Sequence, residues 1–220
     1  MKKLYGIGTG PGDKELLTIK AVKKIQGASV VFAPSNKDKN IALDTVEEYI
    51  QYKKVILLDF PMGKVTEKDY INAAQIIYTE IPEGEYGVYL TIGDPMIYST
   101  FIYIMEKLDK NKIQVEIIPG ISSFVLGAAQ SKIPLTVKGD KFLLMDEFQE
   151  NMLDNIDTLC ILKTMKDKEK ILDILENKGF SYAYIKRVSL KDEKILTKKD
   201  EIIKDKDYLS FIIGRRKADD

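Results

Sequence analysis

Gly6-Ile7-Gly8-Thr9-Gly10-Pro11-Gly12-Asp13 decides the fold class, because it joins a short apolar run, Leu4 to Ile7, to a segment of helical period, Leu16 to Gln26. Leu17, Ala21 and Ile25 share one face of that helix. Four glycines and a proline predict a tight strand-to-helix connection that lets a ligand approach the backbone closely. The stretch is not the dinucleotide fingerprint, since G-x-G-x-x-G begun at Gly6 would require glycine where Pro11 stands. Nor is it a phosphate-binding P-loop, because no Gly-Lys-Ser/Thr follows. An ordinary turn and a ligand site both remain open at this point.

Working outward, β-type runs alternate with helical segments, the pattern of α/β layers. Strands are predicted over Ser29 to Ala33, Val55 to Leu58, Tyr86 to Thr91 and Gln114 to Ile118. Helices are predicted between them over Ala42 to Gln51, Glu67 to Thr79 and Ile97 to Leu108. After Pro119-Gly120 comes a helical stretch, Phe124 to Ser131, and then the rhythm changes. Strands are expected at Phe142 to Met145, Thr158 to Leu162, Tyr182 to Val188, Lys194 to Leu196 and Tyr208 to Ile213, with one helix over Asp167 to Asn177. The expectation is an α/β protein of two domains, a parallel α/β domain over 1–118 and a mixed α/β domain over 119–220.

Two further loops share the first loop's setting. Gly93-Asp94-Pro95-Met96-Ile97-Tyr98-Ser99-Thr100 and Pro119-Gly120-Ile121-Ser122-Ser123 each follow an apolar strand and precede a helix. In an open parallel sheet, ligands bind outside the carboxyl ends of the strands. Each loop has a plainer reading as a helix cap. Together they predict a small-molecule cleft and do not name the ligand.

Composition removes several chemistries. The 220 residues contain no His, no Trp and one Cys, so neither a Ser/His/Asp nor a Cys/His catalytic arrangement is possible and no His/Cys zinc set exists. No metal site is expected. Cys160 lies in an apolar strand-like run and reads as a small buried hydrophobe. Lys plus Arg equals Asp plus Glu at 34 each, which provides no net field toward nucleic acid or an anionic membrane. No window reaches the ~18 apolar residues of a membrane span, and four glycines break the apolar stretch after Met1-Lys2-Lys3, so a cytoplasmic protein is expected.

Gly8-Thr9-Gly10-Pro11-Gly12-Asp13, with Leu16-Leu17-Thr18 and Lys20-Ala21 after it, closely resembles the opening of the tetrapyrrole (corrin and porphyrin) methyltransferase family. Gly93-Asp94-Pro95 and Pro119-Gly120-Ile121-Ser122-Ser123 look like its second and third motifs. Leu162-Lys163-Thr164-Met165, Arg187-Val188-Ser189 and Tyr208-Leu209-Ser210-Phe211-Ile212-Ile213 are similar to its C-terminal segments. Lys14 and Lys186 depart from a frequent proline and a frequent glutamate.

The resemblance implies two α/β domains with the ligand cleft between them, a homodimer, and S-adenosylmethionine as methyl donor. It implies cofactor contacts from Ile92, Gly93, Asp94, Ser99, Thr100, Ser122, Ser123, Lys163 and Val188, and a substrate-side loop of Gly10, Pro11, Gly12 and Asp13. Tyr98-Ser99-Thr100 looks like the branch that methylates C-20 of precorrin-2 or cobalt-factor II on the route to cobalamin. Uroporphyrinogen or a later precorrin as acceptor, or a non-catalytic tetrapyrrole-binding module, are the alternatives. Asp13 and Tyr98 are the candidates for a catalytic base, each with a loop-stabilising reading beside it. A substrate with several carboxylates calls for a cationic or N–H-rich lining, to which Arg187 is the candidate contributor.

Overall fold

The computed structural model describes residues 1–35, 40–60, 65–110, 112–164 and 166–217. Met165, part of one C-terminal motif, lies outside the described residues. The chain forms two compact units, Met1–Ser122 and Ser123–Asp220.

The first unit contains β1 (Lys2–Gly8), α1 (Ile19–Gly27), β2 (Val30–Pro34), α2 (Ile41–Thr45), α3 (Glu47–Ile50), β3 (Lys54–Leu58), α4 (Glu67–Glu80), β4 (Tyr86–Thr91), α5 (Thr100–Lys107) and β5 (Ile113–Ile118). The strands make one parallel sheet in the order β3-β2-β4-β1-β5. Successive side chains leave a strand on opposite faces, so every strand but the edge strand β3, whose Val55 and Leu57 are exposed, feeds two cores. Leu4, Phe32 and Tyr89 pack with Ala73, Ala74 and Ile77 of α4 and with Phe101 and Ile104 of α5. Tyr5, Ile7, Val31 and Leu90 pack with Ala21 and Ile25 of α1 and with Ala42 and Val46. Burial on both faces explains why these strands read as continuous apolar runs. Each fully buried Ile or Leu contributes about 1.5–3 kcal/mol.

Three of the expected helices differ by more than one residue in their bounds. The first begins at Ile19, capped by the Thr18 hydroxyl, because Lys14–Leu16 forms a separate 3-10 turn capped by Asp13. The helix expected over Ala42 to Gln51 is two short helices meeting at Val46, whose φ of −111° and ψ of 9° lie outside helical values while its side chain stays fully buried. The helix expected from Ile97 begins at Thr100, since Tyr98 holds a left-handed φ of 46° and Ser99 is the N-cap.

The second unit contains α6 (Ser123–Ser131), β6 (Phe142–Met145), β7 (Thr158–Leu162), α7 (Lys168–Asn177), β8 (Phe180–Lys186), β9 (Lys194–Leu196), α8 (Lys199–Lys204) and β10 (Ser210–Arg216). Its sheet runs β6-β7-β10-β8-β9. β6 is parallel to β7, whereas β10 is antiparallel to both β7 and β8. β7 and β8 therefore point the same way, and their carboxyl ends flank the start of β10. Leu159, Ile161, Tyr184 and Ile212 pack on one face against Ile171, Leu172 and Leu175 of α7 and Ile202 of α8. On the other face Gly127 of α6 sits against the Phe211 ring, which a Cβ there would meet at 2.5 Å. Cys160 is fully buried in β7 and burial pushes its thiol pKa up, so it acts as core.

One buried polar cluster interrupts this apolar packing. Lys168, 4% exposed, donates from Nζ to the Asp205 carbonyl and to the Ile202 carbonyl at 3.3 Å. The Asp205 carboxylate accepts from the Tyr184 hydroxyl at 2.8 Å and from the Asp207 N–H at 2.9 Å, and pairs with Lys186. Burial alone would raise the Asp205 carboxyl, but Lys186, the Asp207 N–H and the Tyr184 hydroxyl outweigh it and hold it down at about 2. A carboxyl whose folded pKa lies below its unfolded value of about 3.9 stabilises fully above that value and loses its contribution as pH falls toward the folded one. We therefore expect Asp205 to contribute on the order of 2 kcal/mol above about pH 4, lost between about pH 4 and 2. Urea unfolding of wild type and Asp205→Asn across that range should give a flatter pH dependence in the variant; parallel curves would contradict this account.

Candidate functional site

β4, β1 and β5 are neighbours in the first sheet, with β5 at its edge, so their carboxyl ends bring together the loops after Gly8, Thr91 and Ile118. The first two loops are locked by their backbones and the third by a side chain. Thr9 N–H donates to the Thr91 carbonyl at 2.8 Å, and Gly10 and Gly93 exchange hydrogen bonds at 3.3 and 2.7 Å. Gly120 N–H donates to Asp94 Oδ2 at 3.1 Å, while Asp94 Oδ1 accepts from Met96 N–H at 2.8 Å. Asp94 therefore closes its own turn with one oxygen and holds the third loop with the other. Its cap reading is realised on this turn and not on α5.

Glycine is sterically required here. A Cβ on Gly8 would stand 2.4 Å from Gly120 N and 2.5 Å from the Gly93 oxygen, and a Cβ on Gly120 would stand 2.2 Å from that oxygen. Gly93 holds φ at +71°, where a side chain would strain the backbone, yet space around it is open, with only the Ser122 Cα at 3.9 Å. The loops thus present bare backbone.

The Gly93–Thr100 stretch and its neighbours also display apolar surface. Ile92, Met96 and Tyr98 are 44%, 45% and 48% exposed, an unusual grouping of large hydrophobic side chains within one turn. Beside them Ser99, Ser122 and Thr91 are buried, and the Thr91 hydroxyl has no hydrogen-bond partner among the described residues. A buried orphan hydroxyl costs about 1–3 kcal/mol unless something satisfies it. Ser99 spends its oxygen on Phe101 N–H at 3.1 Å as the α5 cap, and Thr100 opens that helix. Ser123 opens α6. On the first loop Gly10 and Pro11 are buried, Gly12 and Asp13 half-buried, and Asp13 Oδ1 accepts from Glu15 N–H at 2.9 Å.

In the second unit Lys163 and Val188 come together at one end of the sheet, just after β7 and β8. Lys163 N–H donates to the Ser210 carbonyl at 3.0 Å and Arg187 N–H to the Leu209 carbonyl at 2.8 Å. Sequence reasoning missed two hydroxyls here. Thr164 Oγ1 and Ser189 Oγ are buried without a hydrogen-bond partner among the described residues, each next to one of these residues. A cavity of about 520 Å³ is lined by Lys163 and Thr164 together with Phe148, Ile161 and Lys170. Among the described residues, Tyr98, Lys163, Arg187 and Ser189 all hold positive φ at 46°, 56°, 50° and 66°. Such strain costs about 1–3 kcal/mol each; Lys132, Asn155 and Asp167 hold positive φ elsewhere in the second unit. Arg187 pairs with Asp207 through Nε, which raises its pKa, and is 43% exposed.

A triplet of adjacent parallel strands ending in backbone-lined, glycine-bearing loops with exposed apolar side chains defines an α/β enzyme that binds a small molecule. The chain matches the family model described as Tetrapyrrole (Corrin/Porphyrin) Methylases over residues 3–202, and it belongs to that family. It is 37% identical to a probable cobalt-precorrin-2 C(20)-methyltransferase of Methanocaldococcus jannaschii, over 98% of this chain and 97% of that protein. It is 32% identical to a uroporphyrinogen-III C-methyltransferase of Bacillus subtilis, over 80% of this chain and 72% of the other. A solved cobalt precorrin-4 methyltransferase shares the fold at TM-score 0.77 and 20% identity, covering 97% of this chain and 94% of its own. So does the Thermus thermophilus uroporphyrin-III C-methyl transferase complexed with S-adenyl homocysteine, at TM-score 0.72 and 20% identity, covering 97% of each chain.

Because Asp94 ties two loops, Asp94→Ala should cost about 1–3 kcal/mol of stability. It should also weaken ligand binding to the first unit about ten-fold. Gly120→Ala should be worse on both counts, since the new methyl meets backbone. Calorimetric titration with thermal melts checks both; wild-type affinity in Asp94→Ala would make the tie irrelevant to binding.

Proposed function

We propose that this chain transfers a methyl group from S-adenosylmethionine to C-20 of precorrin-2 or its cobalt form, in cobalamin biosynthesis. The observation that carries the reading is agreement along nearly the whole chain with the Methanocaldococcus relative. Precorrin-2 C(20)-methyltransferase of a Sinorhizobium species adds a second relative so named, 28% identical over 96% of this chain.

The residues present suit such a donor. Bare backbone at Gly93 and Gly120, the orphan hydroxyl of Thr91 and the exposed Ile92 side chain offer polar and apolar contact to one ligand. We assign Ile92, Gly93, Asp94, Ser122 and Ser123 to the cofactor from the first unit, and Lys163 and Val188 from the second. Ser99 and Thr100 support that set as the cap and first residue of α5. Gly10, Pro11, Gly12 and Asp13 face the substrate. When bound, S-adenosylmethionine supplies a methyl on a positively charged sulfur, so the electrophile arrives with it.

What remains for the chain is to bind, orient and exclude water. Positioning of this kind is worth up to about 7–11 kcal/mol in well-oriented systems. That division of labour suits a protein with no histidine. Asp13 and Tyr98 remain the candidates for accepting the proton lost from the acceptor carbon. Arg187 offers a cation to a carboxylate-bearing substrate. We further propose a cytoplasmic homodimer. Family membership supports the dimer, and a lone buried thiol suits a reducing compartment. Among the described residues no helix is long and apolar enough to cross a membrane.

Incubation with methyl-labelled S-adenosylmethionine and, in turn, precorrin-2, cobalt-factor II and uroporphyrinogen III should label only the first two, or one of them, at C-20. Label on uroporphyrinogen alone would move the reading to that branch. Absence of cofactor binding by calorimetry at millimolar concentration would remove it.

A further inference from the structure

Two strand ends on one side of the second sheet carry Lys163 and Arg187-Val188-Ser189, the latter in a short turn closed by Leu190 N–H on the Arg187 carbonyl at 2.9 Å and by Ser189 N–H on Glu193 Oε2 at 2.6 Å. What the two ends share is a backbone hydrogen bond to the chain entering β10, Lys163 to Ser210 and Arg187 to Leu209. That entering segment, residues 205–209, has no regular secondary structure. Its shape comes from side chains. Lys168 holds the Asp205 carbonyl from α7, and Tyr184 and Lys186 hold the Asp205 carboxylate from β8. Asp207 N–H returns to Asp205 Oδ1, Asp207 Oδ1 accepts from Leu209 N–H at 3.0 Å, and Ser210 Oγ donates to the Asp207 carbonyl at 2.6 Å. Asp207 also pairs with Arg187. The Asp205 and Asp207 side chains are only 10% and 13% exposed.

We propose that Asp205 is a positioning residue for the methyl donor: through the 205–209 segment it sets the two strained strand ends that carry Lys163 and Val188. This rests on the assignment of those two residues to the cofactor under the proposed function. Asp205 lies at the junction because α7 and β8 both reach it, and because its own Oδ1 begins the hydrogen-bond chain through Asp207 to Leu209 and Ser210. Removing the carboxylate leaves Lys186 short of its counter-charge in a largely buried place, which drives rearrangement of the segment and not a silent loss. The positive φ of Lys163, Arg187 and Ser189 is uphill by itself. Those residues should relax once the segment lets go.

The test compares wild type with Asp205→Asn, with Lys186→Met as a second variant should the first fail to fold, and with Lys186→Arg as conservative rescue. Lys199→Met, which removes the exposed pairing with Asp173 and Glu176 in the same unit, is the control. Amide hydrogen exchange reads position without any ligand. Exchange at Lys163 and Arg187 should quicken at least about ten-fold in Asp205→Asn while Cys160 and Ile212, inside the sheet, stay protected. Titration with S-adenosylhomocysteine should show affinity about ten-fold weaker, equivalent to about 1.4 kcal/mol, with Lys186→Arg near wild type and the control unchanged. Exchange that is unaltered, or that quickens equally at all four amides, overturns the proposal, as does wild-type affinity beside quickened exchange. Failure of wild type itself to bind S-adenosylhomocysteine removes the functional reading; failure of the variants to differ from a binding wild type removes this one alone.

Discussion

Everything in the first unit's ligand-facing edge depends on how closely three strand ends approach. Gly8 and Gly120 bring main chain against main chain at distances that leave no room for a methyl group, and Gly93 supplies the left-handed turn whose carbonyl they both meet. Hydrogen bonds from Thr9, Gly10 and Gly93, and the Asp94 tie to Gly120, are possible only at that spacing. The order β4-β1-β5 makes the approach available, since the two outer strands of this triplet pair with β1 on either side. Sheet order and glycine placement are thus one constraint seen at two scales.

The second unit reaches a comparable result by other means. Its strand ends are not cross-linked by backbone to one another but are each fastened to the entry of β10, whose own path is shaped by buried charge. Where the first unit uses the absence of side chains, the second uses Asp205, Tyr184 and Lys168. A buried ionic cluster is seldom the most stable choice for a core. Here it specifies a single path for a segment with no ladder of its own.

Much of this was legible in the sequence. Parallel strands buried on both faces read as unbroken apolar runs, as at β4, and β4, β6, β7 and β9 all have the bounds expected of them. Periodicity failed where tertiary demands overrode it. Val46 is buried at a break between helices, and Tyr98 is forced left-handed before α5 can start. The six-residue α8 escaped notice because Lys199-Asp200-Glu201-Ile202-Ile203-Lys204 buries only Ile202 and so shows no repeating face. Glycine-bearing loops announced a ligand edge, yet the bond from Gly120 to Asp94 spans 26 residues and could not be inferred from either motif alone. The orphan hydroxyls of Thr164 and Ser189 carry no sequence signal, because solvation is a property of the folded surroundings.

The central place of β10 in the second sheet has a consequence for biosynthesis. The parallel sheet of the first unit has all its strands once residue 118 has been made. The second sheet, in contrast, exists only as two separated pairs, β6 with β7 and β8 with β9, until Ser210–Arg216 leaves the ribosome and enters between them. Through that interval the nascent chain exposes apolar strand edges from β7 and β8, the condition under which chaperones engage and aggregation begins. Slow translation over this region, or a premature stop before Ser210, would therefore leave a finished first unit attached to an unclosed second one.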